Sequence, residues 1–207
     1  MRTSPTRAEL EASTDLLFGA MTSCFAYFLW WTRIRPILES VELPNRDIVI
    51  ALQKNTVVEG TLLSIRKIND FFRPLGESNE KEDDVFSYDF HGFKGAGKFL
   101  LPDDFSELHK RVGHLTLREI RHGKVSWEMQ RAVIATATKY IEFTKFLQSE
   151  FFATDEGRKR QAADSEQIIL SFLSAMERAK EMEDRTRHSA MSAPQEPLQA
   201  MPESTKQ

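Results

Sequence analysis

The chain has 207 residues, 41% of them hydrophobic, which is enough to bury one sizeable core. Lys and Arg total 28 against 31 Asp and Glu, and the net charge of −3 excludes a global basic field that would recruit nucleic acid or an anionic membrane. The single cysteine, Cys24, excludes a disulfide framework and fits a reducing, cytoplasmic compartment.

The first predicted helix begins near Leu10 and contains an uncharged run from Leu16 to Trp31. A spanning helix needs about 20 apolar residues, and this run is shorter and includes polar positions. We therefore expect a buried core helix in a cytoplasmic protein. A membrane-associated anchor is the alternative, because Trp30 and Trp31 beside Arg33 are typical of a membrane interface.

Pro36 is expected to end or kink this helix, and the segment 41–45 is typical of a turn. Asn45 is a candidate N-cap for a second helix from Asp47 to Phe72, the longest that the pattern predicts, which stops at a following Arg-Pro pair. Two helices are thus predicted to meet at this turn.

A line of charged residues runs along the second helix. Arg66 and Asp70 are four apart and Glu59 lies seven before Arg66, so all three project from about one face. One interpretation is a solvated stripe or structural ion pair, since such exposed pairs are common and weak. The other is a partly buried polar site.

Helical periodicity disappears between Leu75 and Gly97, which predicts a long loop. Its aromatic residues are expected to pin it to the core: Phe86, Tyr88, Phe90 and Phe93. The acids Asp83, Asp84 and Asp89 can bind a hard cation or pair with arginines, or can simply cap an exposed acidic loop.

A short helix is predicted after Pro102, and it carries the segment HLTLR with His114, Thr116 and Arg118. A histidine near arginines can act as a general acid or base while a guanidinium group holds phosphate. A structural histidine hydrogen-bonded between helices is the other interpretation.

Two further helices complete the predicted bundle. Ser126 can cap a strongly amphipathic helix, whose stripe is Val133, Ala137, Tyr140, Thr144, Leu147 and Phe151. A last helix is indicated by Ile168 to Ala179. We predict an all-α bundle of five or six helices as one domain over residues 1–183, and a disordered tail over 184–207.

Several chemical signatures are absent from the sequence: a glycine-rich phosphate loop, HExxH, CxxC and GxSxG. We therefore expect no bound cofactor and no metal. The partners left open are RNA or a nucleotide, a second copy of the chain, and a membrane contacted through Leu16 to Trp31.

The order of these elements resembles an uncharacterised bacterial all-α family. Its layout is NxxxExxLxxxRxxxDFF, then DDVxxxDF, then HLTxR and a tryptophan, met here from Asn55 to Phe72, at Asp83 to Phe90, at His114 to Arg118 and at Trp127. The resemblance implies an all-α fold and no established activity.

A more distant similarity is to HEPN-type helical domains, many of which bind or cut RNA with an arginine and a histidine that are separated by four to six intervening residues. Here two residues separate Arg111 from His114, and three separate Arg118 from His122. The leading hypothesis is a binding or interaction module, associated with a nucleotide or RNA, whose polar cluster joins Arg66 and Asp70 to Asp83, Asp89, His114 and Arg118. The alternatives are a metal-independent ribonuclease, with His114 as base and Arg118 on phosphate, and a membrane-anchored structural protein.

Overall fold

The computed structural model of the chain describes residues 4–75, 84–97 and 129–192, and within these ranges every regular element is helical. The α-helices are α1 (Arg7–Cys24), α2 (Ala26–Leu29), α3 (Arg35–Ser40), α4 (Arg46–Phe71), α5 (Met129–Phe146) and α6 (Glu156–Ser192). The predicted all-α bundle is therefore confirmed. The predicted helix after Pro102 and the cap at Ser126 lie outside the described residues.

A capping box starts α1. The Glu9 N–H donates to Thr6 Oγ1 at 3.3 Å, and the Thr6 N–H donates to Glu9 Oε2 at 2.6 Å. These bonds satisfy two of the donors that a helix start leaves open. They also hold the pKa of the Glu9 carboxyl below its ordinary value, chiefly through the backbone N–H of Thr6.

The first arm of the bundle comprises α1, α2 and α3, and Pro36 does not end it. A π-helical turn, Trp30–Ile34, stands directly before the proline, and the Arg35 N–H donates to the Trp30 carbonyl five residues back. Proline lacks an N–H and crowds the carbonyl four residues before it, which in this chain belongs to Thr32. The wider π turn accommodates that carbonyl, and the helix continues to Ser40.

The uncharged run from Leu16 to Trp31 contributes to the core. Its buried side chains are those of Leu17, Ala20, Met21, Cys24, Phe25 and Trp30. Burial raises the pKa of the Cys24 thiol well above its ordinary value, which keeps the thiol protonated and unreactive. The prediction of a core helix is supported by this burial.

The predicted turn at 41–45 leads into α4. Asn45 precedes the helix as expected, but its side chain makes no capping bond, because the residue adopts a left-handed conformation with φ 54°. Its carbonyl instead accepts the N–H groups of Ile48 and Val49 at 2.9 and 3.1 Å. The helix then runs 26 residues to Phe71.

Phenylalanine rings fill the core where α4 ends, and the segment 84–97 packs into them. We call this set the aromatic cluster: Phe71, Phe72, Phe90, Phe93, Phe143, Phe146 and Phe151. Phe143 is at its centre, with ring centroids of Phe90, Phe93 and Phe71 at 4.9, 5.1 and 5.2 Å. The Gly97 N–H also donates to the Phe72 carbonyl at 2.7 Å. The prediction that loop aromatics pin this segment is confirmed for the part described.

The last two helices form a hairpin through residues 152–155. The predicted stripe of α5 is buried from Val133 to Leu147, and a π turn, Leu147–Phe151, closes the helix. Asp155 Oδ1 accepts the Arg158 N–H at 3.0 Å and so caps α6, which starts earlier than predicted. The prediction that α4 is the longest helix is wrong, because α6 has 37 residues against 26. It extends to Ser192, and residues 193–207 lie outside the described ranges.

Contacts between distant residues show how the helices are oriented. Arg7 Nη2 donates to the Phe151 carbonyl at 2.7 Å, and further along both helices Phe25 stacks on Phe172 at 4.7 Å. Sequence numbers rise together, so α1 and α6 are parallel, while α4 and α5 run the opposite way. We call the end with Arg7 and Phe151 the lower end, and the end with the turn at 41–45 the upper end.

Candidate functional site

The charged line predicted on α4 has two separate parts. Arg66 Nε lies 3.7 Å from Asp70 Oδ2, and Asp70 Oδ1 lies 3.1 Å from Arg73 Nη2, so one carboxylate is paired with two arginines. The Glu59 side chain is exposed and makes no hydrogen bond or ion pair with a described residue. The ion pair between Arg66 and Asp70, joined by Arg73, matches the interpretation of a structural ion pair at the end of α4.

The loop acids that the structure describes have local roles. Asp89 Oδ2 accepts the Phe86 N–H at 2.7 Å, which closes the short 3-10 helix Ser87–Asp89. Asp84 is half-buried at the start of this segment. The Arg73 guanidinium lies 5.5 Å from the centre of the Phe86 ring and so brings Asp70 beside the loop. Sequence reasoning missed Arg73, which follows α4 directly.

The other predicted site residues, Asp83, His114, Thr116 and Arg118, lie outside the described residues. The polar cluster of these residues with Arg66 and Asp70 therefore stays a prediction. The ribonuclease hypothesis also stays a prediction, because it depends on His114 and Arg118. Within the described ranges, no three His, Cys, Asp or Glu side chains come together as a metal site would require.

A groove of about 1100 Å³ lies on the upper half of the described part of the chain. The first arm forms one wall from Tyr27 to Pro36, and α6 forms the other from Ser171 to Arg185. Gln130 and Val133 of α5 contribute to its lining. We call this cavity the groove. Its volume is at the upper end of the range typical of small-molecule sites.

Aromatic side chains line the groove on both walls. Tyr27, Phe28 and Trp31 come from the first arm, and Phe172 comes from α6. Trp31 is 43% exposed, although its neighbour Trp30 is 1% exposed. Tyr27 stacks against Trp31 at 6.3 Å, and the Arg35 guanidinium lies 4.1 Å from the Trp31 ring centre. These contacts fix the ring orientations before any ligand arrives.

The groove is basic although the whole chain is acidic. Its described lining contains four cations, Arg33, Arg178, Lys180 and Arg185, and one acid, Glu181, which gives a local charge of +3. None of the four cations forms an ion pair with a residue in the described ranges. Within the described residues no ion pair neutralises their charge, which can attract an anionic ligand. This is the local basic patch that a net charge of −3 leaves open.

A second cavity of about 280 Å³ lies between α1, α5 and α6. The Tyr140 hydroxyl donates to Ser165 Oγ at 3.4 Å on its wall, and burial raises the pKa of Tyr140 to about 12, so the phenol is neutral at pH 7. Arg158 and Gln161 donate to Asp15 at 3.2 and 2.9 Å. Because these polar groups bind one another, we interpret them as structural hydrogen bonds that link the helices around the cavity.

One described helix, α4, is long and apolar enough to cross a membrane by length and composition alone, and 17% of its most apolar stretch is buried. Its exposed apolar side chains include Ile48 and Leu52, which are 59% and 63% exposed. The sequence places the membrane alternative on Leu16 to Trp31 instead, a run in which six residues are buried while Leu16 and Trp31 are exposed.

The groove residues were missed because no single stretch of sequence contains them. Trp31 and Arg33 were noticed only as a membrane signal, and the three cations of α6 are spaced among acids in a helix. The one local signal of the groove was the pair Trp30 and Trp31 before Pro36. A proline disturbs the helix turn before it, and such disturbed turns often occur at functional sites.

The chain matches no family model, no curated protein and no solved structure. The family resemblances drawn from the sequence layout therefore remain predictions.

Proposed function

We propose that the chain is a helical binding module whose groove holds a nucleotide or a segment of RNA. The observation that supports the proposal most strongly is the combination of aromatic walls and of cations that pair with no described acid in one cavity. Bases stack on aromatic side chains, and phosphates are attracted to Lys and Arg. Few other common ligands carry both groups.

The charge balance explains why the whole-chain charge does not oppose such binding. Interactions between exposed charges fade beyond about 8 Å at physiological salt, so the cations of the groove dominate the field that a bound phosphate experiences. The guanidinium groups of Arg33 and Arg178 can each donate two hydrogen bonds to a phosphate, whereas the Lys180 ammonium acts as a point charge. The groove therefore offers both charge and geometry.

The test is a binding titration of the full chain with a short, fluorescently labelled oligoadenylate, followed by anisotropy and by competition with ATP. Three or four phosphate contacts predict a slope of about −2 to −3 for log affinity against log salt. Replacing Arg33 and Lys180 together by Gln should weaken binding about tenfold or more and make this slope shallower by about 1 to 2.

The matched control is the double replacement of Lys67 and Lys145 by Gln, which removes the same charge from exposed positions outside the groove. It should leave the affinity within about twofold, because long-range effects of exposed charges are screened. Equal losses in the two double variants, or no binding of any oligonucleotide or ATP at low salt, would disprove the proposal.

A second candidate function, contact with a membrane surface, is favoured by the exposed apolar face of α4. Leu52 and Leu16 are both 63% exposed, on α4 and α1 respectively, and so provide a matched pair. If α4 contacts lipid, Leu52→Glu should abolish flotation with phosphatidylcholine vesicles while Leu16→Glu should not. Absence of the wild-type chain from the vesicle fraction would remove this candidate.

A further inference from the structure

The cations of the groove are not spread along it but lie towards one end. Phe172 and Ala175 of α6 occupy the inner end, beside Phe28 and Val133, and this end carries no charge. Arg178 lies six positions beyond Phe172 and Arg185 lies thirteen positions beyond it, which corresponds to about 9 and 20 Å along the helix axis.

The opposite wall has the same polarity. Because α1 and α6 are parallel and Phe25 stacks on Phe172, residues a similar distance beyond these two face each other at similar heights. Tyr27 and Phe28 follow Phe25 closely and face the uncharged end, whereas Arg33 lies eight residues beyond Phe25, as Lys180 lies eight beyond Phe172. The groove is thus apolar and aromatic at its inner end and basic at its upper end.

A stacked strand lying along the groove would place one phosphate about every 3.4 Å along its axis, and would bring several of them against the uncharged inner end. A ligand whose ring and phosphates are at opposite ends matches this polarity better. Resting on the proposed function, we infer that the groove binds a nucleoside 5′-polyphosphate end-on, with its base at the inner end and its phosphate chain among the cations.

The charge of +3 on the described lining suits such a chain, because each added phosphate extends further towards Arg185 and meets another cation. The base requires only the space between Phe28, Ala175 and Phe172, where stacking tolerates any base. This chemistry has two sources: a free nucleotide, and the 5′ end of a triphosphorylated RNA.

The experiment is calorimetric titration of the full chain with adenosine, AMP, ADP, ATP and inorganic tripolyphosphate, at fixed ionic strength without magnesium. Affinity should rise at each step from adenosine to ATP, with a total gain of about a hundredfold, and tripolyphosphate should bind more weakly than ATP because it has no ring. A short RNA with a 5′-triphosphate should bind at least about tenfold more tightly than the same RNA with a 5′-hydroxyl.

Two variants test the contributions of the two ends of the groove separately. Joint replacement of Arg178 and Lys180 by Gln, at exposed positions, should flatten the series so that ATP binds about as weakly as AMP. Ala175→Leu should fill the inner end and weaken adenosine and ATP about tenfold, while tripolyphosphate binding stays unchanged. Far-ultraviolet circular dichroism confirms folding of each variant.

The outcomes distinguish this inference from the function it rests on. If internal strand segments bind as tightly as 5′-triphosphate ends, or affinity does not depend on phosphate number, the end-on inference is overturned and nucleic-acid binding stands. If no nucleotide and no oligonucleotide binds, both are overturned. Preference for the free nucleotide or for the RNA end identifies the source of the ligand.

Discussion

The lower and upper halves of α4 belong to the same helix but have opposite surroundings. In the lower half Ile65 and Ile68 are fully buried, whereas in the upper half Ile48 and Leu52 are 59% and 63% exposed. The lower half packs into the aromatic cluster, and the upper half follows the first arm through the turn at 41–45. Among the described residues, the apolar packing of α4 is therefore concentrated in its lower half.

The largest expected effect is the loss of the ring at the centre of the aromatic cluster. Phe143 is fully buried and contacts rings from α4, from the segment 84–97 and from its own helix. Phe143→Ala should lower the free energy of unfolding by about 3–5 kcal/mol, because it removes transfer energy and leaves a cavity. Urea unfolding followed by circular dichroism measures the loss.

The control for this comparison is Trp31→Ala at the upper half, where the ring is 43% exposed. A partly exposed ring loses little on truncation, so the expected change is about 1 kcal/mol or less. Similar losses for Phe143→Ala and Trp31→Ala would show that stability is spread evenly over the bundle and would break the comparison.

A smaller loss is expected from crowding at the lower end. A Cβ atom added at Gly95 would stand 2.6 Å from Phe93 Cζ and would also meet the carboxylate of Glu142. Because Phe93 is held in the aromatic cluster, Gly95→Ala should destabilise the chain by about 1–3 kcal/mol. Thermal unfolding of Gly95→Ala is compared with that of Gly95→Ser, which adds a similar Cβ atom, so both should melt at a lower temperature than the wild type. An unchanged melting temperature of either variant would contradict crowding as the cause.

A small gain is expected near the middle of α4. Gly60 lies inside α4, is exposed, and a Cβ atom built there meets nothing within 4 Å. Gly60→Ala should therefore stabilise the chain by about 0.5–1 kcal/mol, since glycine loses more backbone entropy than alanine in a helix. The same unfolding assay measures the gain. A loss of stability would mean that another surface packs closely against this position.

The smallest expected effect concerns the capping box at the lower end. Since the pKa of Glu9 is lowered on folding, its stabilisation is fully present above the ordinary value of 4.5 and is lost as the pH falls through the folded value. Glu9→Gln should therefore make the stability curve flatter between about pH 5 and pH 3. Melting temperatures of both chains across that range test the sign, and parallel curves would contradict it.

The sequence by itself determined where most helices lie and what most of the core contains. The stripe from Val133 to Leu147 predicted α5, the Arg-Pro pair predicted the end of α4, and Phe90 and Phe93 predicted a pinned loop. These features are local, because helical periodicity and stop signals depend on residues only a few positions apart.

The tertiary structure alone decided the groove. Trp31 and Arg178 are far apart in sequence, and each looks ordinary in its own helix. They line one cavity because α1 and α6 run parallel and because a π turn before Pro36 adjusts the first arm. Which faces of distant helices meet depends on packing of the whole core, and a local pattern carries no record of it.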